Sequence, residues 1–131
     1  ITIPQIIQKY GEFAFRRCEQ SRLRELLSQH NLVIATGGGA PCFEDAMQRI
    51  NENATSIYLK ISEETLVGRL KSPYRERPLA PQDDEKALRR YVHETLSQRA
   101  PFYEQAHITI TENQLGDKES MVDLFAKLHI Y

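Results

Sequence analysis

The sequence predicts an α/β fold in three layers, a parallel sheet flanked by helices, and three observations carry that reading. Residues 32–36 form a short apolar run, LVIAT, that ends in three glycines, the pattern of a strand buried on both faces of a parallel sheet. Residues 57–61 and 107–111 are two further strand candidates. Between these runs lie segments with helical periodicity, and strands separated by helices need crossover connections, which are right-handed and set the strands parallel.

Taken in order, Thr2 followed three residues later by Gln5 fits a capping box, Pro4 falls in the first turn where its missing N–H does no harm, and Gly11 supplies a stop. A first helix over about residues 3–10 follows. From 12 to about 29, Phe15, Cys18, Leu23, Leu26 and Leu27 recur near helical spacing with Arg and Glu between them, which predicts a longer amphipathic helix ending by Asn31. Further helices are expected over about 44–52, over 63–71 behind the cap Ser62, over 84–103, and over 118–129 behind Asp117. Residues 71–82 interrupt the alternation with three prolines and three basic residues and read as a flap.

Composition bounds the function. A chain of 131 residues with 40% hydrophobic content has the size of one domain with one core. Its formal charge of −1 argues against a nucleic-acid binder, which needs a basic excess. No apolar run approaches the roughly 20 residues that cross a bilayer, and no secretory leader opens the chain, so a soluble, cytoplasmic monomer is expected. Cys18 and Cys42 lie outside any C-x-x-C pattern and the histidines lack metal-ligand spacing, so no metal site is expected in these residues.

Four segments carry candidate chemistry. Thr36-Gly37-Gly38-Gly39-Ala40 follows the apolar run directly, and bare glycine backbone at the carboxyl end of a strand lets a ligand approach closely, although the same glycines also suit a plain turn. No Lys-Ser or Lys-Thr follows them, so this is not a Walker A loop. Arg16 and Glu19 stand at i and i+3 on one helix face, where a guanidinium held by its own carboxylate is preset as a fork for a ligand carboxylate. Charge pattern alone is equally that of a solvated ion pair. In the flap, Pro78 biases Arg77 toward extended backbone, and a cation on a hinged segment suits phosphoryl transfer, though a basic loop is also commonly just solvated. In Arg99-Ala100-Pro101-Phe102-Tyr103, proline inside the helix removes a backbone hydrogen bond and predicts a kink near Arg99. That arginine would otherwise serve only the helix dipole.

In this order the segments resemble the shikimate kinase family: G-E-x-x-F-R-x-x-E from Gly11 to Glu19, T-G-G-G-A from Thr36 to Ala40, R-P-L from Arg77 to Leu79 and R-A-P-F-Y from Arg99 to Tyr103. The resemblance implies a P-loop kinase-like fold with a substrate-binding region over about 1–31 and a lid over about 71–82, all within one kinase domain spanning 1–131. It implies that Arg16 and Arg99 hold the shikimate carboxylate, that Gly38 and Gly39 meet the substrate through their backbone, that Phe15 packs against its ring, and that Glu19 orients Arg16. Arg77 would be the catalytic lid arginine that closes on the phosphates, Arg69 would lie against the adenine, and the loop 112–115 with Asn113 would cover the base. The implied reaction moves the γ-phosphate of ATP to shikimate with Mg2+.

The family's pattern opens with a strand, a G-x-x-G-x-G-K-[ST] loop and an aspartate-bearing segment, none of which these residues contain. The chain is therefore expected to be the C-terminal part of a kinase domain lacking its first strand, with the Mg2+ ligands upstream and roughly 40 residues absent, the length of a P-loop strand-helix unit. A non-catalytic or degenerate module that keeps the acid pocket without a nucleotide site is the alternative.

Overall fold

A computed structural model describes residues 1–71 and 84–127. Residues 72–83, which hold Arg77 and all but the first residue of the flap expected over 71–82, and residues 128–131 lie outside the described residues.

Two helices open the chain, α1 (Ile3–Tyr10) and α2 (Glu12–Leu27). The capping box forms as the sequence predicts: Thr2 N donates to Gln5 Oε1 at 2.8 Å and Gln5 N to Thr2 Oγ1 at 3.4 Å. Gly11 separates the helices at φ 86°, a left-handed value that costs a glycine nothing. A 3-10 turn, Ala40–Cys42, leads into α3 (Ala46–Asn53), then β1 (Ile57–Lys60) and α4 (Glu63–Leu70), whose first turn is capped by Ser62 accepting from Thr65 N. After residues 72–83 come α5 (Glu85–Tyr103), β2 (Ile108–Thr111), α6 (Glu112–Leu115) and α7 (Lys118–Lys127).

β1 and β2 pair in parallel, Ile57 opposite Ile108 and Lys60 opposite Thr111. The N-terminal end of the pairing is tied by side chains, since Ser56 Oγ accepts from His107 N at 2.9 Å while donating to Asn51 Oδ1 at 2.5 Å. The crossover from β1 to β2 runs through α4 and α5, as the parallel arrangement requires. Two apolar clusters hold the helices. Leu23 of α2 packs with Ala46, Met47 and Ile50 of α3, joined by Ile34 and Phe102. Val67 of α4 packs with Leu88 and Val92 of α5.

Two expectations are corrected. Residues 32–36 are not a buried strand: the segment has no strand assignment, Val33 is fully exposed and only Ile34 reaches a core cluster. A strand exists by hydrogen bonding to a neighbour, and no described strand lies beside this one. Residues 112–115 are a helical turn, α6, rather than a loop, because Thr111 and Gln114 form a second capping box. Pro101 sits inside α5, which runs to Tyr103 as the sequence predicts.

Candidate functional site

Arg16 and Arg99, 83 residues apart in sequence (99 − 16), come together over neighbouring glycines. A Cβ built on Gly38 would lie 2.7 Å from Arg99 Nη1 and 3.1 Å from Tyr103 Oη; one built on Gly39 would overlap the guanidinium of Arg16. Gly39 has φ −92° and ψ −30°, values open to any residue. Its lack of a side chain is therefore required by the arginine above it, not by the backbone.

Each arginine is placed by its helix. Arg16 projects from α2 and donates to Glu19 Oε2 at 2.6 Å, with Glu12 Oε1 3.6 Å from Nη2. Its side chain is 13% exposed. The ring of Phe15 lies 5.0 Å from the Arg16 Cζ, a cation–π support. Arg99 projects from the last turns of α5 and forms no ion pair with a carboxylate among the described residues. The result is one guanidinium already forked to its own carboxylate and one without such a partner, side by side.

The cleft they edge is open, with a volume of about 420 Å³, within the range of small-ligand sites. Its apolar lining is Phe13, Phe43 and Phe102, with the Phe13 and Phe43 rings 5.7 Å apart at 58°. Phe15, expected beside a substrate ring, is not among the lining residues and instead underlies Arg16. Gly39 and Cys42 complete the floor.

The glycine loop is polarised. Its carbonyls are all engaged: Gly37 O accepts from Thr36 Oγ1 within the loop at 2.9 Å, Gly38 O from Tyr103 Oη at 2.5 Å and from Cys42 Sγ at 3.6 Å, Gly39 O from Cys42 N at 3.1 Å, and Ala40 O from Gln20 Nε2 at 2.9 Å. Among the described residues neither Gly38 N nor Gly39 N donates to a protein acceptor. Carbonyls pinned on one side and free amides beside two guanidinium groups suit an anion.

Burial pushes the Cys42 thiol and the Tyr103 phenol up from their ordinary values, against the pull of the Arg99 charge on both. Both groups stay protonated at neutral pH, so each keeps the hydrogen it donates to Gly38 O.

Arg69 and Asn113 lie elsewhere. Arg69 is exposed on α4 and Asn113 on α6. The two elements are joined through Glu112, which accepts from Ser62 N at 3.1 Å and from Thr65 Oγ1 at 2.5 Å and feels the charge of Arg69. Three contributors escaped the sequence reading: Gln20, Cys42 and Tyr103. Two of them carried a signal, since Gln20 stands four residues after Arg16 and Tyr103 four after Arg99, one helical turn along the same face.

A parallel α/β domain that sets two guanidinium groups against glycine backbone at the mouth of a ring-lined cleft has the form of a small-acid acceptor domain. Known proteins of similar sequence and shape agree. The family model described as shikimate kinase matches residues 1–129. A shikimate kinase of Parabacteroides distasonis is 37% identical over 122 residues, 93% of this chain and 70% of that protein. One of Bacteroides thetaiotaomicron is 33% identical, over 89% of this chain and 67% of its own length. A crystal structure of shikimate kinase from the latter organism superposes with a TM-score of 0.86 at 32% identity, covering 98% of this chain and 75% of that one. Shikimate kinase from Acinetobacter baumannii in complex with shikimate superposes at 0.78 with 34% identity, over 98% and 70%. The chain belongs to the shikimate kinase family.

Proposed function

We propose that the chain serves transfer of the γ-phosphate of ATP to the 3-hydroxyl of shikimate, giving 3-phosphoshikimate and ADP. The hydroxyl oxygen forms the new bond to phosphorus, the bridging oxygen leaves with ADP, and the hydroxyl proton is released. The observation that carries this reading is the convergence of Arg16 and Arg99 on Gly38 and Gly39. Two guanidinium groups at one cleft match a carboxylate, Phe13, Phe43 and Phe102 give its ring an apolar surface, and the free glycine amides supply further donors. Glu19 fixes the rotamer of Arg16 and so the direction of its fork. Holding the acceptor still converts much of the barrier into binding, which is the main contribution protein makes to phosphoryl transfer.

Kinases of this family use ATP and Mg2+. Among the described residues no group of three or more His, Cys, Asp or Glu side chains could hold a metal ion. Arg69 on α4 and Asn113 on α6 are assigned to the adenine side, and Arg77 to neutralising the moving phosphoryl group. No helix of the described residues is long and apolar enough to cross a membrane.

The test is titration of the chain with shikimate and with ATP, followed by a coupled assay of ADP release. Binding of shikimate with turnover supports the reading. Binding of shikimate with neither ATP binding nor turnover makes the chain an acceptor module, and no shikimate binding removes the assignment. In the same assay Arg99→Ala weakens shikimate binding and Arg77→Ala slows turnover.

A further inference from the structure

The two arginine-bearing helices hold the glycine loop by the same device. On α2, Gln20 follows Arg16 by four residues, is 3% exposed, and donates from Nε2 to Ala40 O at 2.9 Å. On α5, Tyr103 follows Arg99 by four residues and donates from Oη to Gly38 O at 2.5 Å. Each helix therefore places an arginine against a glycine and, one turn on, a neutral donor against a carbonyl of the same loop. The attachment points, Gly38 O and Ala40 O, bracket Gly39.

Both donors are themselves constrained. Arg49 Nη1 donates to Gln20 Oε1 at 3.3 Å and is held by Asp45, which orients the Gln20 amide with its NH2 toward the loop. The ring of Tyr103 rests against Tyr58 of β1, 5.2 Å between centroids at 41°. Neither donor is among the residues lining the cleft.

We infer that Gln20 and Tyr103 are positioning residues that set the separation of the two guanidinium groups by fixing each helix to its own point on the glycine loop. The inference deepens the proposed function and rests on it only for the identity of the acid. Two like charges beside each other repel, and in the absence of ligand the helices carrying them would relax apart. Two hydrogen bonds to a loop one residue wide between its anchors prevent that. A gap held in advance lets a carboxylate bind without ordering the arginines first.

The two anchors are separable, which makes the test specific. In the ligand-free chain, Tyr103→Phe removes one hydroxyl and is expected to lower the NMR order parameter of the Arg99 Nε–H bond, leaving that of Arg16 unchanged. Gln20→Met does the reverse, acting on Arg16. Both variants lower shikimate affinity about tenfold with the melting temperature of Tyr103→Phe unchanged. Equal loosening of both arginines by either variant, or no change at either, overturns the inference. So does an affinity loss that only tracks a fall in melting temperature. If the order-parameter pattern appears as expected and the wild-type chain binds no shikimate, the positioning role stands and the assignment of the acid fails.

Discussion

The acid end of the molecule and the α4–α6 end are built differently. Around the glycine loop Arg16 is gripped by Glu19 and the loop carbonyls by Gln20, Tyr103 and Cys42, with Arg99 alone lacking a carboxylate partner among the described residues. Around α6 the tight bonds belong to the caps, Ser62, Thr65 and Glu112, while the candidates Arg69 and Asn113 stand exposed. The difference fits what the proposed function asks of each end. A carboxylate needs donors at a fixed separation, whereas a base laid against an arginine needs a surface. Rigidity is concentrated where a distance has to be kept.

The sharpest way to break that comparison is to remove a held arginine. Arg16→Ala leaves Glu19 and Glu12 beside the cleft with no cation between them and the ligand, and shikimate affinity is expected to fall on the order of 1,000-fold. Arg99→Ala removes a cation that has no carboxylate among the described residues, and the loss is smaller, on the order of 100-fold. Calorimetry ranks the two, and the reverse order would show that Glu19 does not act by presetting Arg16. Adding Glu19→Gln to Arg16→Ala recovers about tenfold, because one of the orphaned charges is gone.

Gly39→Ala has a smaller effect and separates folding from function. The backbone there accepts alanine, and the change trims unfolded-state freedom, so melting stays level or rises slightly. The new methyl pushes the Arg16 guanidinium aside, and shikimate affinity falls about tenfold. A drop in melting temperature with affinity intact would mean that the glycine serves the turn and not the arginine.

Local chemistry was legible in the sequence where it acts within a few residues. The capping box of Thr2 and Gln5, the stop at Gly11, the cap Ser62 and the Arg16–Glu19 pair all form where spacing placed them. What spacing could not show is which partner lies across space. The run 32–36 has strand composition, and its pairing depends on a neighbour that composition does not name. Phe15 and Phe13 differ by two positions on α2, about 200° around a helix, so one ring underlies the arginine and the other lines the cleft. The i+4 signals at Gln20 and Tyr103 were present, and acquire meaning only once both helices meet one loop.

At the α4–α6 end the expected effect is the smallest, and it is a pH effect. Hydrogen bonds from Thr65 and then from Ser62 hold the Glu112 carboxyl below the usual carboxylate range. A group depressed in the folded state contributes stability above its unfolded value, about 4.3 for Glu, and loses it as pH falls through the lower folded value. The carboxylate is exposed, so melting of the whole chain should shift little while the local bonds respond. Hydrogen exchange at the Ser62 amide should therefore rise below about pH 4, the acid side of the ordinary Glu value, after correction for intrinsic exchange. In Glu112→Ala it should be high and flat across that range. Exchange that rises identically in wild type and variant would place the acid-sensitive contact elsewhere than in the Glu112 bonds that join α4 to α6.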